Sequence, residues 1–158
     1  PQRENDALHL KKALKLKDPL DLINPVSLRL PLSPYSAATI LKKKIDFSKI
    51  FHSYQKLCER HQLVLVEGVG GALVPLTKDY IVADLIKDLS LPAIVVARAG
   101  LGTINHTLLT LEALSQRKVE VLGIIMNGFR GKELSEKSNA EVITKLSGVP
   151  IIAKIKWG

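Results

Sequence analysis

Four short apolar runs punctuate the chain: Leu63 to Val66, Ala93 to Ala97, Val121 to Met126 and Ile151 to Ile155. Each is continuous rather than alternating, and Val and Ile dominate, the pattern of parallel strands covered on both faces. Between and after them the period changes. Ile81 to Leu89, Ile104 to Gln116 and Glu133 to Leu146 carry apolar residues three and four apart, which predicts amphipathic helices. Successive strands start about thirty residues apart, room enough for a βαβ crossover. The pattern therefore predicts an α/β fold, a mostly parallel sheet flanked by helices.

The first sixty residues are less regular. A helix is predicted from Asn5 to Leu14, then a Pro-punctuated stretch to Pro34, then two further helices. Asp46 reads as the N-cap of the second of these, Phe47 to Arg60, whose Ile50, Phe51, Tyr54, Leu57 and Cys58 share one face. No internal repeat or low-complexity segment interrupts the chain.

Composition narrows the class. A chain of 158 residues with 46% hydrophobic content can bury a core. One cysteine, Cys58, excludes an internal disulfide framework and fits a reducing compartment. No stretch reaches the roughly 18 apolar residues that span a bilayer, so the expectation is a cytoplasmic protein without membrane association. The net charge of +8 is concentrated in KKALKLK and Lys42-Lys43-Lys44. These lysines sit at helical spacing or at helix ends, and no aromatic residues interleave with them for base stacking, so nucleic acid is not the expected partner. His9, His52 and His61 share no ligand spacing and predict no metal site.

The sequence LVLVEGVGG, Leu63 to Gly71, ends an apolar run in a carboxylate and then places three glycines within four residues. In open α/β sheets ligands occupy the crevice beyond the carboxyl ends of the strands. Glu67 is predicted to stand there, with Gly68, Val69, Gly70 and Gly71 offering backbone N–H groups at close approach. A carboxylate beside a phosphate needs a cation between them, which points to Mg²⁺. A tight turn with an incidental acid is the competing reading. Three more loops leave the same edge. After Arg98 a glycine-rich turn, Ala99 to Gly102, opens the helix that begins Thr103-Ile104-Asn105, whose first N–H groups favour an anion. Asn127 ends the third run with an amide that can both donate to and accept from a purine edge. The last run leads into Lys156-Trp157-Gly158, and together these loops suggest a nucleotide crevice.

VEGVGGALVPL, LGTINHTLLTLEAL and GIIMNG, in this order and spacing, closely resemble the dethiobiotin synthetase family; upstream, ENDALHL and LPLSPYSAA resemble its metal-binding aspartate region and its Ser-Pro helix start. The resemblance covers nearly the whole chain. It implies a P-loop NTPase-like nucleotide-binding fold, a homodimer, and an ATP- and Mg²⁺-dependent ring closure that joins 7,8-diaminononanoate and CO₂, or bicarbonate, into dethiobiotin. The family's phosphate loop and catalytic lysine precede the aspartate motif, and no GxxxxGK[ST] occurs here. The expectation is that residues 1–158 form a single α/β domain short of both its ends, inactive alone and with no catalytic residue assigned within it.

Carried over position by position, the resemblance implies that Asp6 and Glu67 are metal-linked acids, with Gly68, Val69 and Gly70 contacting nucleotide and Gly70 also substrate. Asp6 reads equally as a helix cap. Ser33 faces the carbamate or simply caps the following helix. Asn127 meets the adenine edge, with Lys156, Trp157 and Gly158 near the base; the family often has Pro in place of Lys156, and Trp157 also suits core packing. Thr103, Ile104 and Asn105 cradle the substrate carboxylate from the neighbouring subunit. Asn139 reaches the same tail or belongs to a polar helix surface. A P-loop nucleotide switch of the partitioning-ATPase type is the alternative function; it would not need the LGTINH segment.

Overall fold

Helix ends and strand runs set by local chemistry account for most of the architecture of the computed structural model, which describes residues 6–131 and 133–158. Asn5, the predicted start of the first helix, lies outside the described residues. The chain divides into two compact units, one running up to Val69 with Leu76–Lys78, the other Gly70–Pro75 with Asp79–Gly158.

The first unit is helical, with α1 Asp6–Ala13, α2 Leu20–Ile23, α3 Pro34–Ile40 and α4 Phe47–Arg60. Ser33 caps α3 with Pro34 at its first turn, and Asp46 caps α4 by accepting from the Lys49 N–H at 3.1 Å, as the sequence predicts. Helix α2, only four residues long, has no periodic signal and was not predicted. Helix α4 packs against α2, and α2 against α1. Of the predicted α4 stripe, Ile50, Phe51, Tyr54 and Leu57 are half-buried, whereas Cys58 is exposed. What closes this unit is polar. Asp18, 6% exposed, accepts from Arg60 Nη1 at 3.0 Å and pairs with His61 Nε2 at 2.8 Å. The Arg60 guanidinium first, and His61 second, hold the Asp18 carboxyl below its ordinary pKa, outweighing its burial.

The run Leu63–Val66 is not a strand. It forms no regular element and pairs with no strand among the described residues, and Leu63 and Leu65 are 76% and 82% exposed. An apolar run becomes a strand only where a neighbouring backbone takes up its N–H and C=O groups, which periodicity cannot report. A two-stranded sheet, β1 Pro75–Thr77 with β2 Tyr80–Ile81, follows and leads into α5 Val82–Asp88.

The second unit holds the predicted parallel sheet: β3 Ala93–Arg98, β4 Val121–Phe129 and β5 Ile151–Lys156, in the order β3-β4-β5. The crossovers are α6 Thr103–Gln116 and α7 Leu134–Ser147. Val95 pairs with Ile124 and Ala97 with Met126, and these side chains form one buried cluster with Leu111 and Leu114 of α6 and Ile143 of α7. The expectation of strands covered on both faces holds for this face only. The alternate residues Ile94 and Val96 are 44% and 63% exposed, because α6 and α7 pack on the Val95 side. Gly123 on β4 permits a close crossing: a Cβ there would lie 2.4 Å from Ile152 Cγ2 and 3.2 Å from the Pro150 carbonyl. Asp84 ties α5 to α6 by accepting from the Ile81 N–H at 3.0 Å and from Arg117 Nε at 2.8 Å. Among the described residues no helix is long and apolar enough to cross a membrane.

Candidate functional site

The parallel sheet of the second unit delivers its loops at the carboxyl ends of β3, β4 and β5, where a crevice site belongs in an open α/β sheet. Arg98 and Asn127 are register partners at this edge, and Asn127 also faces Ile155. Asn127 is exposed, and its backbone carbonyl accepts from the Ala99 N–H at 2.9 Å, so the turn after β3 is tied to β4 near its carboxyl end. Phe129 is in register with Lys156, and its carbonyl accepts from the Trp157 N–H at 2.9 Å. The Arg130 guanidinium lies 4.5 Å from the Trp157 ring centroid, a cation–π contact. Trp157 is 65% exposed, so the core-packing reading of that residue does not hold; Lys156 and Gly158 are exposed beside it.

The turn after β3 leads through Gly102 into α6. Thr103 is 2% exposed, its hydroxyl meets Thr107 Oγ1 at 3.4 Å, and its N–H is taken by the Gly100 carbonyl at 3.4 Å. That leaves the N–H groups of Ile104 and Asn105, with the exposed Asn105 amide, as the donors an anion would meet at this helix start. Arg98 Nη2 lies 3.4 Å from His106 Nδ1 in the same first turn, which brings a guanidinium to this helix start. Asn139 does not lie on a polar surface. It is 3% exposed, and its Nδ2 donates to the carbonyls of Ala99 at 2.8 Å and Gly100 at 3.2 Å.

The glycine-rich turn is shaped by Gly70, whose φ of +74° is left-handed and whose added Cβ would meet Val74 Cγ2 at 2.8 Å. Ala72 and Val74 then accept from the Ala83 and Val82 N–H groups, fixing the turn to the start of α5. An open cleft of ≈ 360 Å³ lies between this turn and α6, lined by Gly71, Ala72, Val74, Leu109 and Thr110.

The remaining predicted site residues belong to the first unit. Asp6 is exposed in the first turn of α1, and Glu67, Gly68 and Val69 are exposed on the irregular stretch after α4, so Glu67 ends no strand. Ser33 Oγ accepts from the Ser36 N–H at 3.3 Å and donates to Ser36 Oγ at 2.8 Å, as a helix cap does. Among the described residues no hydrogen bond or ion pair joins Asp6, Ser33 and Glu67, and no three His, Cys, Asp or Glu side chains gather as a metal site. Two exposed carboxylates are nonetheless the donor chemistry Mg²⁺ accepts, since that ion keeps waters and phosphate oxygens and takes only one or two carboxylates.

Three residues escaped sequence reasoning: Arg98, Arg130 and Glu136. Arg98 could have been found, because it ends its strand at the carboxyl edge of the sheet. The other two act through backbone and stacking contacts that no short motif encodes.

A family model described as an AAA domain matches residues 1–158. With the parallel sheet and its carboxyl-edge loops, this match defines a P-loop-class α/β nucleotide-binding protein. The chain is 43% identical to the ATP-dependent dethiobiotin synthetase BioD of Thermodesulfovibrio yellowstonii, over 97% of this chain and 68% of that protein. It is 41% identical to the enzyme of the same name from Endomicrobium trichonymphae, over 94% of this chain and 71% of the relative. A third, from Methanocaldococcus jannaschii, is 42% identical over 96% and 73%. The chain belongs to the ATP-dependent dethiobiotin synthetase family.

Proposed function

We propose that this chain carries out the ATP-dependent synthesis of dethiobiotin from 7,8-diaminononanoate and CO₂. The observation that carries the reading is the carboxyl edge of the sheet, where the exposed Asn127 amide stands beside Arg98 and the donor-rich start of α6 follows one turn later. One amine of the diamine captures CO₂ as a carbamate, the γ-phosphoryl group of ATP activates the carbamate oxygen, and attack by the second amine closes the cyclic urea and releases phosphate. The carbamate and the triphosphate are both anionic, so their approach requires cationic and N–H donors arranged before reaction. Bound Mg²⁺ supplies charge neutralisation; Asp6 and Glu67 are the residues that would hold it.

Asn127 pairs with the adenine edge, donating through Nδ2 and accepting through Oδ1, with Lys156, Trp157 and Gly158 alongside. Gly70 brings backbone close to substrate and nucleotide, beside Gly68 and Val69. Ser33 faces the carbamate. Ile104 and Asn105 receive the substrate's carboxylate from across the dimer, while Thr103, buried with its N–H already bonded, stands beneath them. Leu101 and Leu109 of the α6 region, 84% and 53% exposed, suit burial between two copies of the chain, with the apolar chain of the substrate passing between them. A cytoplasmic homodimer is the form this reading requires.

The test is steady-state kinetics on the enzyme expressed from its complete gene. Asn105→Asp should raise the diamine KM by about tenfold or more, because a carboxylate then opposes a carboxylate, with little change in the KM for ATP. Asn127→Ala should cut the preference for ATP over GTP by roughly tenfold, about the 1 to 3 kcal/mol of an unpaired base edge. No diamine-dependent phosphate release from the parent enzyme would reject the reading outright.

A further inference from the structure

Helix α7 turns Glu136, Asn139, Ala140 and Ile143 inward, positions i, i+3, i+4 and i+7 of one stripe. Ala140 and Ile143 join the apolar core. The other two are polar, and their partners are backbone groups of two different loops. Asn139 donates to the Ala99 and Gly100 carbonyls, which open the turn into Thr103–Asn105. Glu136, 5% exposed, accepts from the Arg130 N–H at 3.1 Å through Oε1 and from the Gly131 N–H at 2.6 Å through Oε2, three and four residues beyond Asn127. The Ala99 N–H, bonded to the Asn127 backbone carbonyl, ties the first loop to the strand that the second loop leaves.

Burying a carboxylate and a carboxamide on a core-facing stripe is costly unless each finds partners, and apolar residues would pack there more simply. What these side chains add is geometry. Two segments that lie beyond the strand ends are pinned to a rigid helix. We propose that Glu136 and Asn139 are positioning residues for the two ends of the ligand site: Asn139 sets the carboxylate cradle through Ala99 and Gly100, and Glu136 sets the loop that follows Asn127 and carries Arg130 over Trp157. The proposal rests on the reading of the cradle and the adenine amide given above. It makes Asn139 a residue that touches the loop and not the substrate tail.

The test compares Asn139→Asp, Asn139→Ala and Glu136→Gln in the enzyme from its complete gene, with Asn105→Asp and Asn127→Ala as references. Asn139→Asp keeps the shape but turns an acceptor toward two carbonyl oxygens, so it should raise the diamine KM by about tenfold to a hundredfold and leave the KM for ATP within about twofold. Asn139→Ala, which frees the carbonyls to bond water, should do the same more weakly; a purely packing role predicts the opposite ranking. Glu136→Gln should raise the KM for ATP selectively and speed amide exchange at Arg130 and Gly131. If Asn139→Asp does not fold, the selective diamine effect of Asn139→Ala decides. Parallel rises in both KM values that track lost thermal stability, or no rise where the reference variants do change KM, would overturn the proposal. Reference variants that change neither KM would instead reject the underlying site reading, while the amide exchange of Glu136→Gln still reports whether the Glu136 clamp exists.

Discussion

The two units of this chain are closed by different chemistry. In the second, Val95, Ile124, Met126, Leu114 and Ile143 make a continuous apolar cluster beneath a parallel sheet. In the first, the buried residues of the helices are small, Ala7, Ala37, Ala38 and Ser53, and the largest commitment is the Asp18 carboxylate between Arg60 and His61. An apolar core loses stability by cavity and transfer terms that do not depend on pH, whereas a charge cluster is tuned by protonation and salt. The sheet unit should therefore answer to side-chain volume and the helical unit to pH.

The sharpest break of this contrast is Ile124→Ala. Ile124 is 0% exposed, and its truncation should cost about 2 to 5 kcal/mol, seen as faster amide exchange across β3, β4 and β5 at every pH. Next comes Gly123→Ala, whose methyl would sit 2.4 Å from Ile152 Cγ2. Overpacking of that kind should cost about 1 to 3 kcal/mol, and Ile152→Ala in the same chain should restore most of it; no recovery would mean that the Pro150 carbonyl, and not the side chain, is the obstacle. The smallest effect is the pH dependence of the first unit. Because Asp18 titrates below its ordinary value when folded, its contribution is complete above the unfolded value of about 3.9 and is lost as pH falls through the folded value. Arg60 is 50% exposed, so screening by solvent keeps the effect modest. Protection of the last turn of α4 should drop in acid, and Asp18→Asn should make it flat with pH while leaving the sheet's exchange unchanged.

The same contrast governs how much was legible in the sequence. Strands β3, β4 and β5 and helices α5, α6 and α7 begin and end within a few residues of their predicted bounds, because an apolar stripe reports directly which face is buried. Asp46 was legible as a cap for a similar reason, since capping is local. The run Leu63–Val66 failed because pairing is not local, and α2 and the β1–β2 pair are too short to show a period. In the candidate site, Asn127 and the Thr103–Asn105 helix start could be read from a strand end and a glycine-rich turn. The inward turn of Asn139 could not. A polar residue among Ser138, Glu141 and Lys137 reads as surface until the stripe 136, 139, 140, 143 is seen to include it.

The spatial order of β3, β4 and β5 is also their order along the chain. On a ribosome this means that β4 and then β5, as each leaves the exit tunnel, finds a lateral partner, β3 or β4, already made. Nascent chains arrested so that Phe129, and then Lys156, have just cleared the tunnel should gain resistance to limited proteolysis in two steps, and a single step at the longer length would count against this. The sheet that carries Asn127 is thus a structure whose strands can be added in the direction of synthesis, one onto the last.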